Sequence, residues 1–417
     1  MRQNAEAASV RLGALVGRPQ AQLDGFKTRA LRAETSTHRH MYTTEWRALD
    51  VDVAEADVTP VLMVGDEELR CERLAARVAR EELAAKLHSD EWAAIAVAVA
   101  TQRASLALLP LFALEVALTL VQTQASELRA PTVWLLSVGA QMGHRPAHTG
   151  AWGLARCARA EASLPLHCID TSVTMAFARG PSLTEPEMLV HLGLPLVPRL
   201  ARASQIVEPD VFMAFDSHII TGGTGGLGLL TGRWLAQRGA CTLCLASRSG
   251  VLSHDMVREW EQVQASHVAA LVQCCDTAQV SQVRRLVVPR HSSLPTTGVW
   301  HAAGVLADGL MPKQVAGKLA RVYAPKAHGA WTLQRVCVPM PLRMCTLFSS
   351  IAASLGNAGQ ANYAAANACL DALAAYRRAH GCTGASVQWG AWAEVGMAAR
   401  GRTYERGRAR SDALTIN

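Results

Sequence analysis

Two doubly wound, parallel α/β halves in tandem are what the sequence predicts, and three observations predict them. Short apolar runs of strand length alternate with longer amphipathic stretches along most of the chain, the pattern of parallel strands joined by crossover helices. That alternation stops over a proline-punctuated stretch from about Arg179 to Glu208, with Pro181, Pro186, Pro195 and Pro198, and restarts at Val211, which predicts a domain seam. Matching segments then recur on either side of it. Trp134-Leu-Leu-Ser137 leads to Trp152-Gly-Leu-Ala-Arg156 in the first half, and Thr346-Leu-Phe-Ser-Ser350 leads to Tyr363-Ala-Ala-Ala-Asn367 in the second. Only the second set carries reactive groups, so the first half reads as a degenerate copy.

Residues 1–40 have no sustained period and several turn formers, among them Gly13, Gly17, Pro19 and Gly25, and read as a linker with some helix. From Met41 to Leu49 apolar and polar positions alternate as in a half-buried strand, so the first domain begins there. An apolar run at Val61–Val64, a helix-like segment over Glu67–Leu87, a second run at Ala94–Val99, a helix over Ser105–Gln122, a strand over Pro131–Ser137, a helix over Trp152–Ala162 and a strand over Leu166–Asp170 complete it. In the second half strands are predicted at Ser217–Thr221, Thr242–Ala246, Ala269–Cys275, Gly298–His301, Cys345–Ser349 and Ala385–Gln388. Helices over Leu227–Gly239, Asp255–Ser266 and Val280–Val288 separate the first four. The expected organisation is a linker over 1–40, a structural subdomain over 41–208, a catalytic subdomain over 209–400 and a basic tail over 401–417.

Half of the 417 residues are hydrophobic, 18% are charged and 5% aromatic, which excludes a collagen-like, coiled-coil or wholly disordered chain. The net charge of +7 is modest, and Arg400, Arg402, Arg406, Arg408 and Arg410 concentrate it in one solvated tail, so no nucleic-acid partner is expected. Eleven cysteines, an odd number, fit a reducing, cytoplasmic setting better than a disulfide framework. Cys241 and Cys244 form a CxxC, but inside a strand-like run where residues three apart face opposite ways, and no second CxxC completes a zinc site. The most apolar stretch, Trp92–Val121, is interrupted by Arg103, Pro110 and Glu115, leaving less than the ~20 residues a membrane span needs.

The chemistry is concentrated after the seam. Ile219-Ile-Thr221-Gly222-Gly223-Thr224-Gly225-Gly226-Leu227-Gly228 places GxGxxG between an apolar strand and an amphipathic helix. There backbone N–H groups and the helix dipole meet a pyrophosphate that Cβ atoms would obstruct, so a dinucleotide is expected. At the end of the next strand Arg248, flanked by Ser247 and Ser249, suits a ribose 2′-phosphate where a carboxylate would suit a free 2′-hydroxyl, so NADPH is preferred to NADH. Asp276 ends the third strand, where it could accept from an adenine amino group, and His301-Ala302-Ala303-Gly304 ends the fourth with small residues for close cofactor packing. Ser350 at a strand end, with Tyr363 and Asn367 on one helix face, could polarise a ketone and protonate its alkoxide. No lysine stands four residues after the tyrosine, and Lys318 and Lys326 precede the serine; Lys326 begins the helix expected beside the tyrosine helix.

Together the Thr-Gly-Gly-Thr-Gly-Gly-Leu-Gly, Ser-Arg-Ser-Gly, His-Ala-Ala-Gly-Val, Leu-Phe-Ser-Ser-Ile-Ala and Gln-Ala-Asn-Tyr-Ala-Ala-Ala-Asn segments resemble the ketoreductase domain of type I modular polyketide synthases, extended short-chain dehydrogenase/reductases. The exchange of asparagine and lysine, matched by Asn367 and Lys326, is the most specific sign. The likeness covers about residues 40–400 and implies two Rossmann-like subdomains, the first truncated and cofactor-free. It implies NADPH-dependent reduction of a β-ketoacyl group, carried by phosphopantetheine on an acyl carrier protein among other polyketide synthase domains. In the implied roles Tyr363 donates the proton, Ser350 orients the carbonyl, Lys326 lowers the tyrosine pKa, Asn367 supports the network and Arg248 holds the 2′-phosphate. Leu306-Ala307-Asp308 keeps one aspartate of the Leu-Asp-Asp borne by members that give the D-configured alcohol, and Leu355 stands where the opposite group has tryptophan, so a D-(3R) product is expected. The equivalent domain of a type I fatty acid synthase, and a non-catalytic reductase-like scaffold, are the alternative readings.

Overall fold

The computed structural model describes residues 7–12, 21–27, 41–49, 61–64, 74–78, 94–98, 109–126, 132–143, 146–171, 185–203, 216–252, 256–287 and 295–392. The chain divides into two compact units, Met1–Glu45 with Leu200–Glu208, and Trp46–Arg199 with Pro209–Asn417. In the first unit β1 (Ala7–Leu12) and β2 (Ala21–Lys27) pair antiparallel, with Leu12 opposite Ala21. At these two segments the chain is strand where the linker is expected to carry some helix, because their pairing overrides weak local propensity; the rest of 1–40 lies outside the described residues.

The described elements of the first half are β3 (Tyr42–Ala48), β4 (Val61–Val64), β5 (Leu74–Val78), β6 (Ala94–Ala98), helix α1 (Leu109–Ser126), β7 (Thr132–Val138), helix α2 (Gly150–Ala162), β8 (Leu166–Thr171), β9 (Glu187–His191) and β10 (Leu194–Arg202). They form one sheet in the order β3-β10-β9-β8-β7-β6-β4-β5. Leu74–Val78 lies inside the predicted helix Glu67–Leu87 and is a strand parallel to β4, since Leu-Ala-Ala-Arg-Val is built of good helix formers that the sheet neighbour overrules. The proline-rich stretch read as a seam is in part the antiparallel pair β9 and β10; Pro195 still offers its carbonyl, which accepts from the Leu49 N–H at 3.1 Å.

The second half comprises β11 (Ser217–Thr221), α3 (Gly226–Gln237), β12 (Thr242–Ser247), α4 (Val257–Gln264), β13 (Ala269–Cys274), α5 (Val280–Val287), β14 (Thr296–His301), α6 (Ala316–Tyr323), a π-helical turn (Ala324–His328), α7 (Gly329–Cys337), β15 (Met344–Ser350), the one-turn α8 (Ala352–Leu355), α9 (Ala361–Ala379) and β16 (Ala385–Trp389). All its strands run parallel in the order β13-β12-β11-β14-β15-β16, which by chain position is 3-2-1-4-5-6, the doubly wound dinucleotide-binding order. Ile219 packs into the core on one face of this sheet and Ile220 into the core on the other, the period of two a doubly covered strand requires. Cys244 is buried within β12, and neither it nor Cys241 is disulfide-bonded.

The internal repeat is visible in the topology. In the first sheet β5-β4-β6-β7-β8 follows the order of β12-β11-β14-β15-β16, and no described strand stands where β13 stands in the second. The helices after β7 and β15, α2 and α9, pack on each other at Gly153, where a Cβ would lie 2.4 Å from the Ala364 carbonyl oxygen. Around this crossing Leu114, Trp152, Ala155, Leu319, Val322 and Ala365 form a core to which both halves contribute. Among the described residues no helix is long and apolar enough to cross a membrane.

Candidate active site

The order of the second sheet reverses between β11 and β14, and their carboxyl ends, Thr221 and His301, are paired there. Such a switch point leaves a crevice beyond the strand ends. Gly222 turns the chain with φ +71°, and a Cβ on it would lie 2.7 Å from the Ala302 backbone; one on Gly228 would lie 2.3 Å from the Gly222 carbonyl. The glycines thus bring α3 against the strand and leave its N-terminus facing a cleft of about 320 Å³. Thr224, Gly225, Gly226 and Leu227 line it on one side, and Ser247, Arg248 and Ser249 on the next. Ala302, Ala303 and Pro325 close the far side. The glycine-lined helix N-terminus and the exposed Arg248 together fit a dinucleotide carrying an extra phosphate.

Four of the predicted cofactor residues, Thr221, Gly223, Asp276 and His301, do not line the cleft, and His301 is fully buried. Its Nε2 lies 2.8 Å from the Lys326 carbonyl, which can only accept, so Nε2 carries the proton and Nδ1 accepts from the Thr221 hydroxyl at 2.7 Å. Burial lowers the His301 pKa to about 4, which keeps the ring neutral in this arrangement. Asp276 caps a turn, one oxygen accepting from the Ala278 N–H at 3.0 Å. Ser247 and Ser249 accept from the Gly250 and Val251 N–H groups, shaping the loop that presents Arg248.

Lys326, Ser350, Tyr363 and Asn367 are brought together at the carboxyl end of β15. Lys326 sits in the π-helical turn, fully enclosed, its ammonium donating to the Phe348 carbonyl at 2.9 Å and lying 5.3 Å from the Tyr363 ring centroid. Burial lowers its pKa to about 8, against the opposing pull of the Asp371 carboxylate. Burial raises the Tyr363 pKa, while hydrogen bonding to Asn367 and Ser350 lowers it and the charge of Asp308 raises it. Asn367 donates to the Tyr363 carbonyl at 2.9 Å, and its buried Oδ1 has no hydrogen-bond partner among the described residues. A serine hydroxyl, a phenol and a buried ammonium beside the glycine-lined cleft can polarise a carbonyl and deliver a proton to its oxygen.

Asp308 stands on the loop after β14, and Leu355 on the helix turn that leads into the neighbouring loop. The Asp308 carboxylate accepts from Gln360 Nε2 at 3.1 Å, and burial raises its pKa against the pull of Gln360 and Lys318. Leu355, at the end of α8, is 59% exposed. Several contributors were missed in the sequence. Thr277, Val305 and Pro325 line the cleft, and Ser349 donates to the Asn367 carbonyl at 3.2 Å, tying the tyrosine helix to β15. The second serine of Phe348-Ser-Ser350 was the one available signal for that tie.

Residues 216–394 match the KR domain family. The chain is 37% identical over 260 residues to chalcone synthase cfoA of Aspergillus candidus, and 40% identical over 206 residues to a mycocerosic acid synthase-like polyketide synthase of Mycobacterium tuberculosis. These alignments take in 60% and 48% of this chain but 9% and 10% of the relatives' lengths. In overall structure it is similar to an A-type ketoreductase from a modular polyketide synthase, with a TM-score of 0.79, 27% identity and coverage of 90% of this chain and 87% of the other.

Proposed function

Residues 216–394 form a KR domain in the two-sheet frame of polyketide-synthase ketoreductases, and from that premise we propose that the chain reduces a β-ketoacyl thioester to the β-hydroxyacyl thioester with NADPH. The observation that carries this reading is the convergence of Ser350 and Tyr363, with Lys326 beneath the ring, beside the glycine-lined cleft. The Gly222–Gly228 loop and α3 would hold the pyrophosphate, and Arg248 the 2′-phosphate. When bound, the reduced nicotinamide supplies the hydride accepted by the ketone carbon.

The protein's own part is to receive the charge that develops on oxygen. Ser350 donates to the carbonyl and orients it, and Tyr363 passes its hydroxyl proton to the forming alkoxide. Lys326 stabilises the phenolate that this leaves, and Asn367 holds Tyr363 through its backbone carbonyl. The acyl chain would be presented by phosphopantetheine on an acyl carrier protein of the same assembly. The handedness rests on Asp308 and Leu355, which favour the D-(3R) alcohol.

Incubation with NADPH and a panel of β-ketoacyl thioesters, followed by cofactor absorbance and chiral chromatography, tests each part. Turnover with a predominantly D-configured product is expected; NADPH binding without turnover would favour a non-catalytic scaffold, and an L-configured product would remove Asp308 from control of the face. Arg248→Ala should weaken NADPH about tenfold or more with little effect on NADH, as charge-assisted bonds contribute about 1.5–3 kcal/mol. Equal losses for the two cofactors would count against a phosphate contact.

A further inference from the structure

Glu161 belongs to the first half, on the last turn of α2, yet its carboxylate reaches the two loops that frame Tyr363. One oxygen accepts from the Met311 N–H at 2.5 Å, at the end of the loop that follows β14 and carries Asp308. The other accepts from the Gly359 N–H at 3.0 Å, in the loop between α8 and α9. The loops are also stitched directly, Gly309 N–H to the Gly359 carbonyl at 2.8 Å, Asn362 Nδ2 to the Ala307 carbonyl at 2.8 Å, and Gln360 Nε2 to Asp308. Glu161 is thus the fixed point behind a double-loop frame with Asp308 on one member and Leu355 beside the other.

The placing of this acid is locally unfavourable. A carboxylate in the last turn of a helix faces the negative end of the helix dipole, where Arg159 is the residue of suitable sign. A residue that breaks a local rule is expected to have a compensating role, and here two backbone donors from loops about 150 and 198 positions away converge on it. Arg156 on the same helix donates to the Ala353 carbonyl at 2.5 Å, anchoring α8 from the same side.

We propose that Glu161 is a positioning residue for substrate selection: by holding both loops it sets the spacing of the groove through which the acyl arm meets Ser350 and Tyr363, and with it the ketone face presented. This rests on the ketoreductase reading above. Glu161 does not line the cleft, and its carboxylate accepts from loop backbone at Met311 and Gly359, so its loss should act on the extended substrate more than on the cofactor.

Glu161→Gln, whose single amide oxygen replaces two carboxylate acceptors, and Glu161→Ala are to be compared with the full chain. A β-ketoacyl thioester and a small cyclic ketone that does not span the loops serve as substrates. The expected result is a fall in kcat/KM for the thioester of about tenfold, borne mainly by KM, a smaller fall for the small ketone, and an eroded ratio of product enantiomers. Equal losses on both substrates, or an unchanged enantiomer ratio in a folded variant, would overturn the proposal. Should Glu161→Ala fail to fold, the near-isosteric Glu161→Gln decides. A wild-type chain that does not reduce the thioester would instead defeat the ketoreductase reading.

Discussion

Burial makes Tyr363 a poorer acid and the Asp308 charge adds to that, while other groups around it work the opposite way. Asn367 and Ser350 pull its pKa down, and the ammonium of Lys326 lies under the ring face. Tyr363→Phe should therefore lower kcat by ~10² to 10⁴ while NADPH affinity stays near wild type, read by steady-state kinetics and cofactor titration. The pH dependence follows from Lys326. With its pKa lowered to about 8, the side chain is charged below that value and neutral above it, so kcat for reduction should fall as pH rises through about 8. Lys326→Met should have a low kcat without that falling limb. Tyr363, Ser350 and Arg248 were legible as candidates because their types and spacing suit the proposed chemistry. The role of His301 was not: a strand-end histidine reads as a cofactor neighbour, and only the closeness of Thr221 and the Lys326 carbonyl shows it to be a buried brace.

Elements decide how accurately those residues meet. The π-helical turn at Ala324–His328 contains Pro325, which lacks the N–H an α-helix would use, and this local break carries Lys326 inward while α6 and α7 continue on either side. At the α2–α9 crossing, Gly153 lets the Ala364 backbone approach, one residue beyond Tyr363. Gly153→Ala would place a methyl 2.4 Å from the Ala364 oxygen, so the helices must separate. A loss of about 1–3 kcal/mol and a fall in kcat larger than the fall in NADPH affinity are expected, checked by denaturant unfolding and kinetics. The helix carrying Tyr363 and Asn367 and the apolar strand before the glycine loop were readable from sequence. Leu74–Val78, β9 and β10 were not, because short segments take their state from the strand beside them.

At the scale of the molecule, the two halves share a core in which Leu114, Trp152 and Ala155 meet Val322, Ala361 and Ala365. Burying a side chain such as Leu114 or Val322 contributes about 1.5–3 kcal/mol, so residues 209–417 alone, with this shared core exposed, should be aggregation-prone or unfolded. Soluble yield and circular dichroism of that fragment check this, and a stable, active fragment would contradict it. The sequence by itself determined the α/β class, the repeated unit, the glycine loop and the candidates for the reacting groups. Each of these is written in periodicity or in residue type at short spacing, and neither needs a distant partner to be read. Only the tertiary structure decided that Thr221 and His301 brace Lys326, that β9 and β10 extend the first sheet, and that Glu161 holds loops far along the chain. The first two depend on contacts formed within one half between segments that local propensity does not pair, and the Glu161 contacts exist only when both halves have folded against each other.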